Sequence, residues 1–227
     1  MVLLSVMMCQ WNVVDAQLLI KDGETVAFMG NSITAQGWKQ GGYVRLIVSA
    51  LESVGIKITP IPAGISGNKS NDMLARLDKD ILSKHPDWMT LSCGVNDVWH
   101  GERGVELEDY KKNITEIVDH AITGNVKVIL LTATVIGEED NNNNRKLAGY
   151  NNFLRQLAKE RGLPLADLNA DFQEILGKME TTPESRYLTS DGVHMKPEGN
   201  VLMAKGCLRA MGFTDEQIKK GLEEKVF

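Results

Sequence analysis

Val26-Ala27-Phe28-Met29-Gly30-Asn31-Ser32-Ile33-Thr34 is an apolar run that stops at a glycine and then sets a serine among turn-forming residues. A short, unbroken apolar run closed by a turn signal reads as a strand buried on both faces. The glycine lets the backbone turn sharply, which places the Ser32 hydroxyl at the strand's end.

Working outward, residues 25–29 are the first of five such runs, the others being 56–61, 88–93, 126–132 and 163–167. Helical periodicity fills the intervals at 42–54, 70–83, 107–122, 145–161, 196–211 and 214–225. In 70–83, for example, Met73, Leu74, Leu77, Ile81 and Leu82 make one apolar stripe. Thr214 with Gln217 three residues on is a capping box for the last helix. Strands alternating with helices imply βαβ units and a mostly parallel sheet covered on both faces. The polar segment 137–144, with its two glutamates, aspartate and four asparagines, reads as a solvated loop.

With 227 residues, 43% of them hydrophobic, the chain suits one large α/β domain, placed at 17–227. Its 25 basic and 30 acidic side chains leave a net charge of −5 with no Lys/Arg block, so no nucleic-acid partner is expected. Cys9, Cys93 and Cys207 form no CxxC pair, which speaks for packing over a disulfide framework or a metal site. No apolar run is long enough for a membrane span. Residues 2–8 are apolar, and Val14-Asp15-Ala16 precedes Gln17 like a cleavage site, so residues 1–16 read as a signal peptide for periplasmic or extracellular export. The alternative is an N-terminal extension packed on a cytoplasmic domain.

A serine is a weak nucleophile unless the chain also supplies a base, an acid to orient it and donors for an oxyanion. Asp191-Gly192-Val193-His194 offers the acid and the imidazole, Gly94-Val95-Asn96-Asp97 a side-chain amide, and Ile65-Ser66-Gly67-Asn68 a glycine N–H. Ligands bind at the carboxyl ends of parallel strands, and Ser32, Gly67 and Asn96 each lie just past such an end. Plainer readings exist: Ser32 as a helix N-cap, Gly67 as a turn glycine, Asn96 bonded within its own loop. Asp97-Val98-Trp99-His100 is a second acid-x-x-histidine. His194 is preferred because its pair follows the last strand and leaves Asn96 free. Asp97 then reads as a support for the Asn96 loop, and His85 and His120 as outside the site.

Together these four blocks, in this order, resemble those of the SGNH hydrolases, the GDSL esterase/lipase family. The resemblance implies a flavodoxin-like three-layer α/β/α sandwich with a five-stranded parallel sheet and no metal or organic cofactor. It implies Ser32 as nucleophile, His194 as base and Asp191 as its orienting acid, with the N–H groups of Ser32 and Gly67 and the Asn96 amide as oxyanion hole. Asn31 stands where the family usually has aspartate, and Asn31, Trp99 and His100 are candidates to line the substrate pocket. The expected partner is a small-molecule or oligosaccharide ester, with acetyl on a carbohydrate favoured over a lysophospholipid or thioester. Two non-catalytic readings compete: a flavodoxin-like protein cradling phosphate at 30–34, and a silent carbohydrate binder.

Overall fold

The computed structural model describes residues 18–223. Five parallel strands, β1 (Thr25–Gly30), β2 (Thr59–Gly64), β3 (Trp88–Ser92), β4 (Lys127–Leu131) and β5 (Leu165–Ala166), form one sheet in the order β2-β1-β3-β4-β5. The helices are α1 (Ser32–Gly37), α2 (Tyr43–Ser53), α3 (Ser70–Asp80), α4 (Val95–Trp99), α5 (Leu107–Thr123), α6 (Asn142–Arg161), α7 (Leu168–Leu176), α8 (Pro197–Ala210) and α9 (Asp215–Glu223).

From β1 the chain steps outward to β2, then returns past β1 to β3. Because parallel crossovers are right-handed, that reversal sends α2 to one face of the sheet and α3 and α5 to the other. The packing agrees, with α2, α8 and α9 in mutual contact on one side and α3, α5 and α6 in contact on the other. The interior strands β1, β3 and β4 are buried along nearly their whole length. This three-layer α/β/α arrangement is the one the alternation of runs foretells.

Several boundaries move. The second strand lies at Thr59–Gly64 instead of 56–61, and it contains Pro60 and Pro62. The N–H groups of Thr59 and Ile65 bond to Glu24 and Gly30, so the intervening even positions point their missing N–H away from β1, toward an open edge. Prolines spaced by two are therefore tolerated there and only there. α6 begins three residues before position 145, because the Asn141 side chain caps it through the Asn144 N–H at 2.9 Å. The short helices α1, α4 and α7 were not anticipated. α9 carries the expected capping box, with the Thr214 N–H bonded to Gln217 Oε1 at 2.9 Å. Cys93 and Cys207 are buried free thiols, while Cys9 and the segment 1–16, read as a signal peptide or an N-terminal extension, lie outside the described residues.

The segment 137–144 corrects the reading of a solvated loop. Glu138 is only 4% exposed. Its carboxylate accepts bonds from the N–H groups of Tyr187, Leu188 and Thr189 and from the Thr189 hydroxyl, at 2.6 to 2.9 Å. A buried carboxylate is tolerable because these four donors replace its water.

α1 lies tight across the ends of β1 and β2, and a Cβ at Gly64 would collide with the Ala35 backbone nitrogen. Gly64→Ala is expected to lower unfolding free energy by about 1–3 kcal/mol in urea titration. Thr214→Ala, which removes only the cap, should cost about 1 kcal/mol.

Candidate active site

β1 delivers the chain to Asn31, whose side-chain oxygen accepts from the Ile33 N–H at 2.9 Å and so caps α1. That makes Ser32 the first residue of the helix. Its Oγ lies 2.8 Å from His194 Nε2, and His194 Nδ1 lies 2.7 Å from Asp191 Oδ2. With the ring proton on Nδ1 donated to the carboxylate, Nε2 accepts from the hydroxyl. Asp191 Oδ1 also accepts from the N–H groups of Val193 and His194 at 3.0 and 2.8 Å. Partial burial pulls the Asp191 carboxyl upward, but these bonds outweigh it and hold it below the ordinary carboxylate value.

The Asp191–His194 turn is itself braced. Ser190 N–H donates to the His194 carbonyl at 2.8 Å, Thr189 bridges Met195, and Lys196 N–H donates to the Leu188 carbonyl at 2.8 Å. From outside, Glu138 grips residues 187–189, and the Gly137 N–H donates to the Gly192 carbonyl at 2.8 Å.

The other side of the serine is organised by α3. Arg76, largely buried, donates from Nη2 to the Gly30 and Ala63 carbonyls at 3.0 and 2.9 Å, from Nε to Asn68 Oδ1 at 2.6 Å, and from Nη1 to Asp80 at 3.0 Å. Asn96, 2% exposed, donates one amide hydrogen to the Asn68 carbonyl at 3.0 Å, which leaves its second one free. Gly67 adopts φ +80°, where only glycine is comfortable. Among the described residues, no acceptor takes the N–H of Gly67 or of Ser32.

The rival acid-histidine pair is not assembled. Asp97 is buried, with one oxygen bonded to the Ser70 N–H at 2.9 Å and the other 3.4 Å from the Cys93 sulfur, and no hydrogen bond joins it to His100. Burial raises its carboxyl above the ordinary value, only partly offset by those bonds. Trp99 is exposed and stands beside His100, their rings 6.3 Å apart, at the end of the helix that carries Asn96. Asn31 is buried in its cap instead of facing a cleft. Sequence reading missed Arg76, Asn68 and Glu138. Neither Glu138 nor Arg76 carries a residue-type signal that could have found it.

A hydroxyl bonded to an imidazole whose far nitrogen is held by a carboxylate is the arrangement used for acyl transfer on several unrelated folds. Residues 28–202 match the model of the GDSL-like lipase/acylhydrolase family. An acetylxylan esterase of Geobacillus stearothermophilus is 30% identical over 217 residues, 86% of this chain and 96% of its own length. The crystal structure of Axe2, an acetylxylan esterase from Geobacillus stearothermophilus, superposes with a TM-score of 0.78 at 29% identity, covering 87% of this chain and 98% of that one. The acetyl xylan esterase AlAXEase superposes with a TM-score of 0.76 at 34% identity, covering 82% and 98%. The lipoprotein YqeF of Bacillus subtilis is 24% identical over 213 residues, 81% of this chain and 87% of its own. The chain therefore belongs to the GDSL-like lipase/acylhydrolase family, has the SGNH hydrolase fold and is a carboxylic ester hydrolase.

The two acids titrate in opposite senses. Asp191, lowered on folding, stabilises the protein above the ordinary carboxylate range, and that contribution is lost only as pH falls through its depressed value. Asp97, raised on folding, contributes below the ordinary range and loses that contribution as pH rises through its elevated value. Asp97→Asn is therefore expected to match or exceed wild type in thermal midpoint at pH 7, with the difference shrinking toward acid pH. Asp97→Ala, which orphans the Ser70 N–H, should cost about 1–3 kcal/mol.

Proposed function

We propose that this member of the family removes small acyl groups, acetyl above all, from a carbohydrate, with Ser32 as nucleophile. The observation that carries the reading is the continuous Ser32–His194–Asp191 hydrogen-bond chain, at 2.8 and 2.7 Å. His194 takes the hydroxyl proton as Oγ attacks the ester carbonyl, and Asp191 stabilises the resulting imidazolium. The tetrahedral oxyanion is received by the Ser32 and Gly67 N–H groups and the free Asn96 amide hydrogen. Collapse expels the alcohol, which takes its proton from His194 and leaves an acetylated Ser32. Water, deprotonated by the same imidazole, then attacks the acyl-enzyme and releases acetate.

Three things support acetyl and carbohydrate over a lipid. Relatives that cover more than four fifths of the chain include acetylxylan esterases. Among the described residues, the exposed large apolar side chains, Ile65, Trp99, Ile122, Met179 and Tyr187, include no apolar helix that could serve as a lid. Trp99, at the end of the helix that carries Asn96, offers a ring face of the kind on which sugars stack. Export of the enzyme fits the same substrate, since a polymeric carbohydrate lies outside the cell, and the similarity to a lipoprotein is compatible with it.

Hydrolysis of p-nitrophenyl esters tests the assignment. Ser32→Ala and His194→Ala are expected to lower kcat by about 10⁴-fold or more, and Asn96→Ala by about 10²–10³-fold. kcat/KM should fall steeply beyond acetyl, and wild type should be labelled at Ser32 by a fluorophosphonate. Turnover that survives Ser32→Ala rejects the nucleophile, and a preference for long acyl chains rejects the acetyl assignment.

A further inference from the structure

A cleft of about 280 Å³ opens between α1, the 38–42 turn and the start of α8, with Ile33, Gln36, Lys39, Gln40, Met195 and Pro197 among its walls. Three larger cavities have no connection with the serine, the smallest of them, about 330 Å³, lying between the end of α7 and α8. Of the others, one of about 460 Å³ lies between α6 and α7, and one of about 680 Å³ lies at the opposite, amino-terminal end of β3 and β4. None is lined by Ser32, Asn96, His194 or a residue beside them.

The small cleft has a definite place in the reaction geometry. In acyl transfer the oxyanion faces its donors, while the departing oxygen faces the imidazole that protonates it. Here Gly67 and Asn96 stand on the side of α3 and α4, and the His194 turn leads directly into α8, which packs on α2 across the sheet. The departing alcohol therefore leaves toward α2 and α8. Ile33 and Met195, the residues directly after Ser32 and His194, line the cleft on that side. Gln36 follows Ser32 by four residues, one turn further along the same face of α1.

The lining divides into a fixed wall and a free rim. Asn200 is fully committed, accepting from the Tyr43 N–H at 2.9 Å and donating to the Lys196 and Met195 carbonyls at 3.0 and 3.4 Å. Gln36, Lys39 and Gln40 are exposed, and among the described residues their side chains make no hydrogen bond or ion pair. Two amides and an ammonium over a floor of isoleucine and methionine match a ring with an apolar C–H face and a rim of hydroxyls. The volume lies at the lower end for ligand pockets, typically about 300–1,000 Å³, and suits one ring better than a chain.

We propose that this cleft is the subsite for the alcohol half of the ester, a pyranose ring bearing free hydroxyls, which Gln36, Lys39 and Gln40 hold by hydrogen bonds. The proposal rests on the acyl-transfer reading above and adds to it the position and chemistry of the leaving group.

The test compares acetylated xylotriose with p-nitrophenyl acetate, whose leaving group has no free hydroxyls, in wild type, Gln36→Ala/Gln40→Ala and Lys39→Ala. Loss of two or more hydrogen bonds to the sugar is worth about a tenfold change. The ratio of kcat/KM for the sugar ester to that for the aryl ester should therefore fall about tenfold in the double variant, through KM. It should fall less in Lys39→Ala. A ratio that stays at the wild-type value overturns the subsite, whether both activities persist or both fall together. Wild type that turns over neither ester and escapes fluorophosphonate labelling overturns the acyl-transfer reading itself, and the subsite with it.

Discussion

At the carboxyl ends of β1 and β2 one guanidinium gathers two backbone carbonyls, one of which, that of Gly30, also accepts the Ile65 N–H. Arg76 binds the carbonyls of Gly30 and Ala63, which terminate β1 and β2, and the side chain of Asn68, whose own carbonyl receives the Asn96 amide. One rigid, planar fork thus sets the separation of the serine turn, the glycine turn and the asparagine helix. These segments come from three strands and have no covalent reason to lie in register. A lysine ammonium is a point charge and lacks the fork that fixes several acceptors in one plane. Asp80, at 3.0 Å, supplies the countercharge that makes a largely buried cation acceptable.

The imidazole is delivered by a different device. The segment 187–195 has little regular structure of its own, only a single bridge between Thr189 and Met195. It owes its shape to the buried Glu138 carboxylate and to the Gly137–Gly192 contact, both at the end of β4. The site is therefore two halves hung on the same sheet, the half that carries Ser32, Gly67 and Asn96 secured by a cation and the half that carries His194 secured by an anion. They meet at the 2.8 Å contact between Ser32 and His194.

What was legible in the sequence follows from this division. Hydrophobic runs buried on both faces announce themselves, so the strands, their parallel sense and the long amphipathic helices could be read directly. β2 was misplaced by about three residues because its prolines break the apolar pattern, and edge position, a tertiary fact, is what permits them. The short helices α1, α4 and α7 are legible only as caps, because five to nine residues leave too few turns for periodicity. Ser32, Asn96, Asp191 and His194 could be named because each sits in a compact motif beside a strand end or a turn. Arg76 and Glu138 act on backbone atoms 13 to 51 residues away, and a bond to a backbone atom leaves no residue-type signal at its far end. The polar composition of 137–144 concealed a buried acid because composition counts charges and does not see what neutralises them.

Asn31 shows how the capping and catalytic demands at the serine separate. Asparagine and aspartate cap a helix about equally well, so the bond to the Ile33 N–H accounts for either residue. They differ in charge, and under the proposed chemistry charge matters because Asn31 is buried directly beside Ser32, on which the anionic tetrahedral adduct would form. A carboxylate at 31 would favour the N-terminus of α1 but would oppose the oxyanion of such an adduct; the amide retains the cap and removes that opposition. α1 is only six residues long, so its dipole gives little to forgo. With asparagine at 31, Asp191 is the acidic group hydrogen-bonded into the Ser32–His194 chain, which keeps negative charge on the imidazole side of the serine and away from the side of Gly67 and Asn96.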